Sequence, residues 1–100
     1  VQDVFEIENV KVDGNSFLSM KADIPDAPPL LLVIGKKGFV MCGYLNLDAA
    51  ERLGTTAAVV SGVNSFDDVL NAQIKGATKK AISLGLEPGK VVRTVIGKLA

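Results

Sequence analysis

The chain has 100 residues with 11 basic and 11 acidic side chains, one cysteine and no histidine or tryptophan. That length suits one domain, and 48% hydrophobic with only 5% aromatic residues calls for an aliphatic core. Without histidine there is no Ser-His-Asp triad and no Cys-His pair, and one cysteine allows neither an internal disulfide nor a His/Cys zinc site.

Charge is placed unevenly. Asp3, Glu6, Glu8, Asp13, Asp23 and Asp26 face only Lys11 and Lys21 in residues 1–29, whereas Lys75, Lys79, Lys80, Lys90, Arg93 and Lys98 face only Glu87 after residue 70. The basic part lacks arginine clusters and interleaved aromatics, so a solvated helix surface is favoured over a nucleic-acid interface. No apolar run approaches the ~20 residues of a membrane span, and no secretory h-region opens the chain. A reduced, cytoplasmic setting is expected. Val1 in place of an initiator Met fits a trimmed or processed N-terminus.

In chain order, Val4–Val12 and Ser16–Ile24 flank the turn signal Asp13-Gly14-Asn15 and read as a β-hairpin. Leu18, Met20, Ala22 and Ile24 alternate on one face and Phe17 points to the other. Phe5 and Ile7 oppose Val4, Val10 and Val12. Three prolines in Pro25–Pro29 predict an extended connector. The continuous apolar run from Leu30 reads as a fully buried strand. Lys36-Lys37-Gly38 is a tight turn into a strand over Phe39–Gly43. Asn46 caps a short helix whose Leu47, Ala50 and Leu53 share a face, with Gly54 at its end. Ala57–Ser61 is another buried strand.

Ser65–Leu84 reads as one long helix, with Ser65 and Asp68 in a capping-box arrangement and Phe66, Val69, Leu70, Ile74, Ala77, Ala81 and Leu84 at helical spacing. On this reading Lys79 and Lys80 lie near its negative end, and Gly76 in mid-helix asks for a close contact. After the turn Glu87-Pro88-Gly89, Val91–Leu99 fits a helix face and also a strand alternation; helix is preferred, although the β-branched residues argue against it. The sum is an α+β domain: an N-terminal hairpin (1–24), then a mainly antiparallel sheet with two or three helices packed on one face (30–100).

Chemistry has few candidates. Cys42 is either a nucleophile near a helix N-terminus, assisted by Asp48 or Lys36, or a small buried hydrophobe. Burial is favoured because no base accompanies it. Gly62-Val63-Asn64-Ser65 is a loop that could hold an anion on free amides, although plain helix capping is favoured, as it is for Asn46. Tyr44 and Asn71 are polar edges of a pocket or interface residues. No P-loop, dinucleotide fingerprint or calcium loop is present, so no metal or cofactor is expected.

The stretches GFVMCGYLNLDAAERLG (38–54) and SGVNSFDDVLNAQI (61–74) resemble the YunC-like family, a bacterial and archaeal domain of unknown function, over about residues 29–99. The resemblance implies a helical last stretch after Gly89 and an N-terminal β-sheet region used in tetramer formation, but no activity and no catalytic residue. Together with a hairpin that is apolar on both sides, it makes a homo-oligomer, a tetramer through the hairpin, the expected state. The expected function is binding of a small ligand or protein partner. A Cys42 enzyme and a purely structural assembly unit are the alternatives.

Overall fold

The computed structural model describes residues 5–100, so the expected strand start at Val4 lies outside the described residues. Strands β1 (Phe5–Val12), β2 (Asn15–Ala22), β3 (Leu30–Ile34), β4 (Phe39–Met41), β5 (Ala57–Val59) and β6 (Gly76–Ala77) form one sheet in sequence order. Helix α1 (Leu47–Leu53) joins β4 to β5, and α2 (Phe66–Asn71) joins β5 to β6. Helices α3 (Lys79–Leu84) and α4 (Val92–Val95) and a 3₁₀ turn (Ile96–Leu99) complete the chain. Neighbouring strands are antiparallel except β4 and β5, which are parallel. This is the expected α+β fold.

The hairpin closes through Asp13 and Gly14, both at positive φ (52° and 84°), which is the two-residue turn whose twist matches that of the strands. It is part of the continuous sheet, because β2 pairs with β3 from Leu18↔Ile34 to Ala22↔Leu30. The proline-rich connector starts with a turn rather than an extended run: the Ala27 amide donates to the Ile24 carbonyl at 3.2 Å, and Asp26 has φ 58°. At the β3–β4 turn, the Gly35 amide donates to Gly38 O at 2.8 Å, the Lys37 amide to Leu99 O at 2.9 Å and the Phe39 amide to Thr56 O at 3.0 Å. A Cβ on Gly35 would strike the Leu99 carbonyl oxygen, and one on Gly38 that of Thr56. Only glycine lets these backbones approach so closely.

The two faces of the sheet differ. One carries Val12, Phe17, Leu31, Val33, Val40, Cys42, Ala58 and Val60, which join Phe66, Val69 and Leu70 of α2, Ala81 of α3 and Val92 and Val95 of α4 in one buried cluster. Three helices thus share this face. Helix α1 crosses the other: a Cβ on Gly76 would meet Leu47 Cδ2 and Val59 Cγ1, and Val59 points away from the buried cluster. The rest of that second face is open. The Leu30 run is therefore not fully buried; Leu31 and Val33 enter the core while Leu30, Leu32 and Ile34 stay partly exposed. Leu53 does not share the buried face of α1 and is 79% exposed.

The largest correction concerns Ser65–Leu84, which is not one helix. Ser65 caps α2, its hydroxyl accepting from the Asp68 amide at 3.1 Å, but α2 stops at Asn71. The backbone beyond it pairs elsewhere. The Ile74 amide donates to Lys90 O at 2.8 Å, the Lys75 amide to Val59 O at 2.8 Å, and the Val92 amide to Ala72 O at 3.0 Å. Thr78 then caps a new helix, α3, its buried hydroxyl accepting from the amides of Ala81 at 3.4 Å and Ala57 at 3.2 Å. Sheet pairing wins over helical periodicity, and Gly76 is a strand residue. Lys79 and Lys80 consequently open a helix instead of closing one. Glu51 of α1 offsets this unfavourable dipole placement, since its carboxylate accepts the Lys79 amide at 2.9 Å. The last stretch is helical over Val92–Leu99, as preferred, although split between α4 and the 3₁₀ turn, and Val91 instead bridges Gln73.

Two buried hydroxyls give a contrast. Thr78 Oγ1 has two donors, whereas Ser19 Oγ is buried without a partner. Thr78→Val leaves two buried amides unsatisfied and should cost about 1–3 kcal/mol, while Ser19→Ala should be neutral or slightly stabilising. Denaturant melts check both; equal effects would mean that Thr78 does not hold β5 to α3. Ile74→Ala should cost about 2–5 kcal/mol through cavity formation, although Ile74 lies outside any helix.

Candidate functional site

Parallel strands β4 and β5 end side by side. The chain leaves β4 toward α1 on one face of the sheet and leaves β5 toward α2 on the other. A crevice opens beyond the carboxyl ends of strands at such a point. Here it is a cavity of about 510 Å³ lined by Pro28, Pro29, Cys42, Gly43, Tyr44, Ser61, Gly62, Val63 and Asn64.

Three backbone segments build it. The connector before β3 supplies the two prolines. The β4–α1 loop supplies Cys42, Gly43 and Tyr44, and the Tyr44 hydroxyl donates to Pro28 O at 2.7 Å, tying these two walls together. The β5–α2 loop supplies Ser61 to Asn64, with Gly62 at φ 71°. Cys42 is 4% exposed and exchanges contacts with Leu31: its amide donates to Leu31 O at 3.0 Å, and its sulfur accepts from the Leu31 amide at 3.3 Å. Lys75 reaches the rim, its ammonium donating to Ser61 Oγ at 3.3 Å.

The cavity brings together Cys42, Tyr44 and Asn64 of the sequence candidates, but not the others. Asn46 Oδ1 caps α1 by accepting from the Ala49 amide at 3.1 Å. Ser65 caps α2 and borders a second cavity of about 320 Å³ beside Glu8 and Asp67. Asn71 Oδ1 accepts from Arg93 Nε at 3.3 Å, a link between α2 and α4. The Asn64 amide is already taken by Asp68 Oδ2 at 3.0 Å, which matches the capping preferred for that loop. Gly62 and Val63 belong to the loop weighed above for an anion, but sequence reasoning missed Pro28, Pro29, Ser61 and Lys75. Ser61 alone follows β5 in the chain, whereas Pro28 and Pro29 precede β3 and Lys75 precedes β6, so their place at the crevice comes from the fold.

Chemically the lining is mild. It contains no carboxylate, lysine or arginine, and neither Lys36 nor Asp48 belongs to it. Among the described residues no group of three or more His, Cys, Asp or Glu could hold a metal ion, and no helix is long and apolar enough to cross a membrane. Cys42 should react slowly with a thiol reagent at neutral pH, and Cys42→Ser should cost no more than about 1–2 kcal/mol. Rapid stoichiometric labelling of the native protein would reverse this reading.

Comparison with known proteins adds a family and no activity. The profile of the family described as "Domain of unknown function (DUF1805)" matches residues 41–99. The uncharacterized protein YunC of Bacillus subtilis (strain 168) is 24% identical over 94 residues, covering 90% of this chain and 92% of YunC. A crystal structure of a protein of unknown function from Thermoplasma acidophilum superposes with a TM-score of 0.91 at 38% identity, covering 96% of this chain and 93% of that one. The chain therefore belongs to the DUF1805 family, a YunC-like family of unknown function.

Proposed function

We propose that the protein is a homo-oligomeric binder of a small ligand, with the crevice beyond β4 and β5 as its site. The observation that carries this is the cavity itself. It is concave, it has the volume of ordinary small-molecule sites, and its mostly apolar lining carries a few convergent polar groups and no acid–base pair. The same lining argues against an enzyme with Cys42 as nucleophile, because the thiol is buried with no base beside it. A reduced cytoplasmic setting suits a chain whose single thiol stays free.

The proposed assembly surface is the open face of the sheet. Register places its side chains in three rows: Phe5, Ala22 and Leu30; then Ile7, Met20, Leu32 and Met41; then Asn9, Leu18, Ile34 and Phe39. Asn9 is the one polar member. Phe5, Ile7 and Leu18 are 48%, 57% and 42% exposed in the single chain. An apolar patch of this kind marks an interaction site, and burying each large side chain contributes roughly 1.5–3 kcal/mol. A second copy is the partner this face fits, since two such faces pack as sheet on sheet under closed symmetry. The number four comes from the family resemblance.

Two measurements test these statements. Light scattering after gel filtration should give a tetramer for the full chain and smaller species for Ile7→Asp and Leu18→Asp. Both variants should keep their circular dichroism, because neither side chain belongs to the core. A monodisperse full-length monomer at micromolar concentration would sink the assembly. For the site, fragments that raise the melting temperature should lose their effect in Tyr44→Ala and keep it in Ile7→Asp. Shifts that survive Tyr44→Ala would move the ligand elsewhere, and an absence of any stabilising fragment would favour the purely structural assembly unit.

A further inference from the structure

We propose that the crevice selects a small amphipathic monoanion: a carboxylate carried on a compact apolar ring. The ring lies over Pro28, Pro29, Tyr44 and Val63, and the carboxylate meets Ser61 and Lys75. This rests on the reading of the crevice as a ligand site and adds the charge and shape of what it takes.

The lining joins apolar side chains to a few polar groups. Lys75 Nζ donates to Ser61 Oγ at 3.3 Å, and no carboxylate pairs with Lys75 among the described residues, whose ion pairs join Lys90 to Glu87 and Arg93 to Asp67. Because the Ser61 oxygen accepts from Lys75, its own hydroxyl hydrogen is free to donate into the crevice. Gly62 and Val63 follow on the same loop, with Gly43 on the β4–α1 loop. Among the described residues the amides of these three donate to no protein acceptor. The two loops therefore offer a cation beside Ser61 and amides without a protein acceptor, which suit an oxyanion. The prolines, the tyrosine ring and the valine offer flat apolar surface at low conformational cost.

The acidic groups fix which end the anion uses. Asp68 accepts the Asn64 amide at 3.0 Å, and Asp67 lies 4.0 Å from Arg93. Both belong to the start of α2, so an anion placed there would be repelled. With one ammonium at the rim, a single negative charge is matched and a doubly charged ligand is not. A cation would have to displace Lys75 from Ser61 and would leave the free amides without acceptors.

The test uses benzoate and benzamide as probes, titrated into the ¹⁵N-labelled full chain and followed by amide shifts. Benzoate should move Gly43, Gly62 and Val63 and bind about fivefold more tightly than benzamide, the gain expected of one solvent-screened charge pair. Lys75→Met should bring benzoate down to the benzamide level without changing benzamide, and Lys75→Arg should keep the preference. If both probes move the crevice amides with equal affinity, or if benzoate keeps its advantage in Lys75→Met, the anion assignment is wrong although the ligand site stands. If neither probe moves those amides, or if the shifts fall only on the open sheet face that carries Leu18 and Ile34, the site and its assignment fall together.

Discussion

The parallel pairing of β4 with β5 is the constraint on which the rest of the architecture depends. Every other pair in the sheet is antiparallel and can be joined by a turn, but a parallel pair requires a crossover. Helix α1 is that crossover, and it occupies the face of the sheet that the other helices leave free. The pairing also brings the ends of β4 and β5 together, so that Cys42-Gly43-Tyr44 and Ser61–Asn64 become opposite walls of one cavity. In an antiparallel arrangement these loops would lie at opposite ends of the sheet and no crevice would form.

The sheet is also two-sided in its energetics. On the helix side, Phe17, Leu31, Val33 and Val40 are buried within the chain. On the other side α1 is too short to cover more than the strands nearest to it, and the hairpin face from Phe5 to Phe39 keeps its apolar rows partly exposed. A chain of this length buries a modest fraction of its surface. Here that second face stays partly open, with Phe5, Ile7 and Leu18 exposed in the single chain.

How much of this was legible in the sequence depended on the range of the interaction. Local signals read correctly. Asp13-Gly14 gave the hairpin, Asn46 and Gly54 gave both ends of α1, and Ser65 with Asp68 gave the start of α2. The reading failed where distant backbone competes with local propensity. Phe66, Val69, Leu70 and Ile74 keep helical spacing, yet Ala72–Lys75 is drawn out by residues 89–92 and by Val59. Gly76 and the capping residue Thr78 carried a trace of that break. Leu53 continued an apolar spacing on a helix that buries only Ala50. Of the site, the Cys42–Tyr44 and Asn64 segments were visible as unusual residues. Pro28 and Lys75 were not, because their contribution comes from tertiary placement.

The crevice is held in shape by bonds that involve no ligand. Tyr44 to Pro28 links the connector to the β4–α1 loop. Cys42 and Leu31 exchange an amide–carbonyl bond and an amide–sulfur contact across the floor. Asp68 to Asn64 and Ser65 to Asp68 fix the far wall. A site assembled this way does not need to order its loops on binding, which removes one of the larger costs of association. The thiol that first suggests catalysis serves here as a wall and a weak acceptor. Turning the thiol toward solvent would take its sulfur from the Leu31 amide. The contacts that bury Cys42 are therefore also the ones that shape this wall of the cavity.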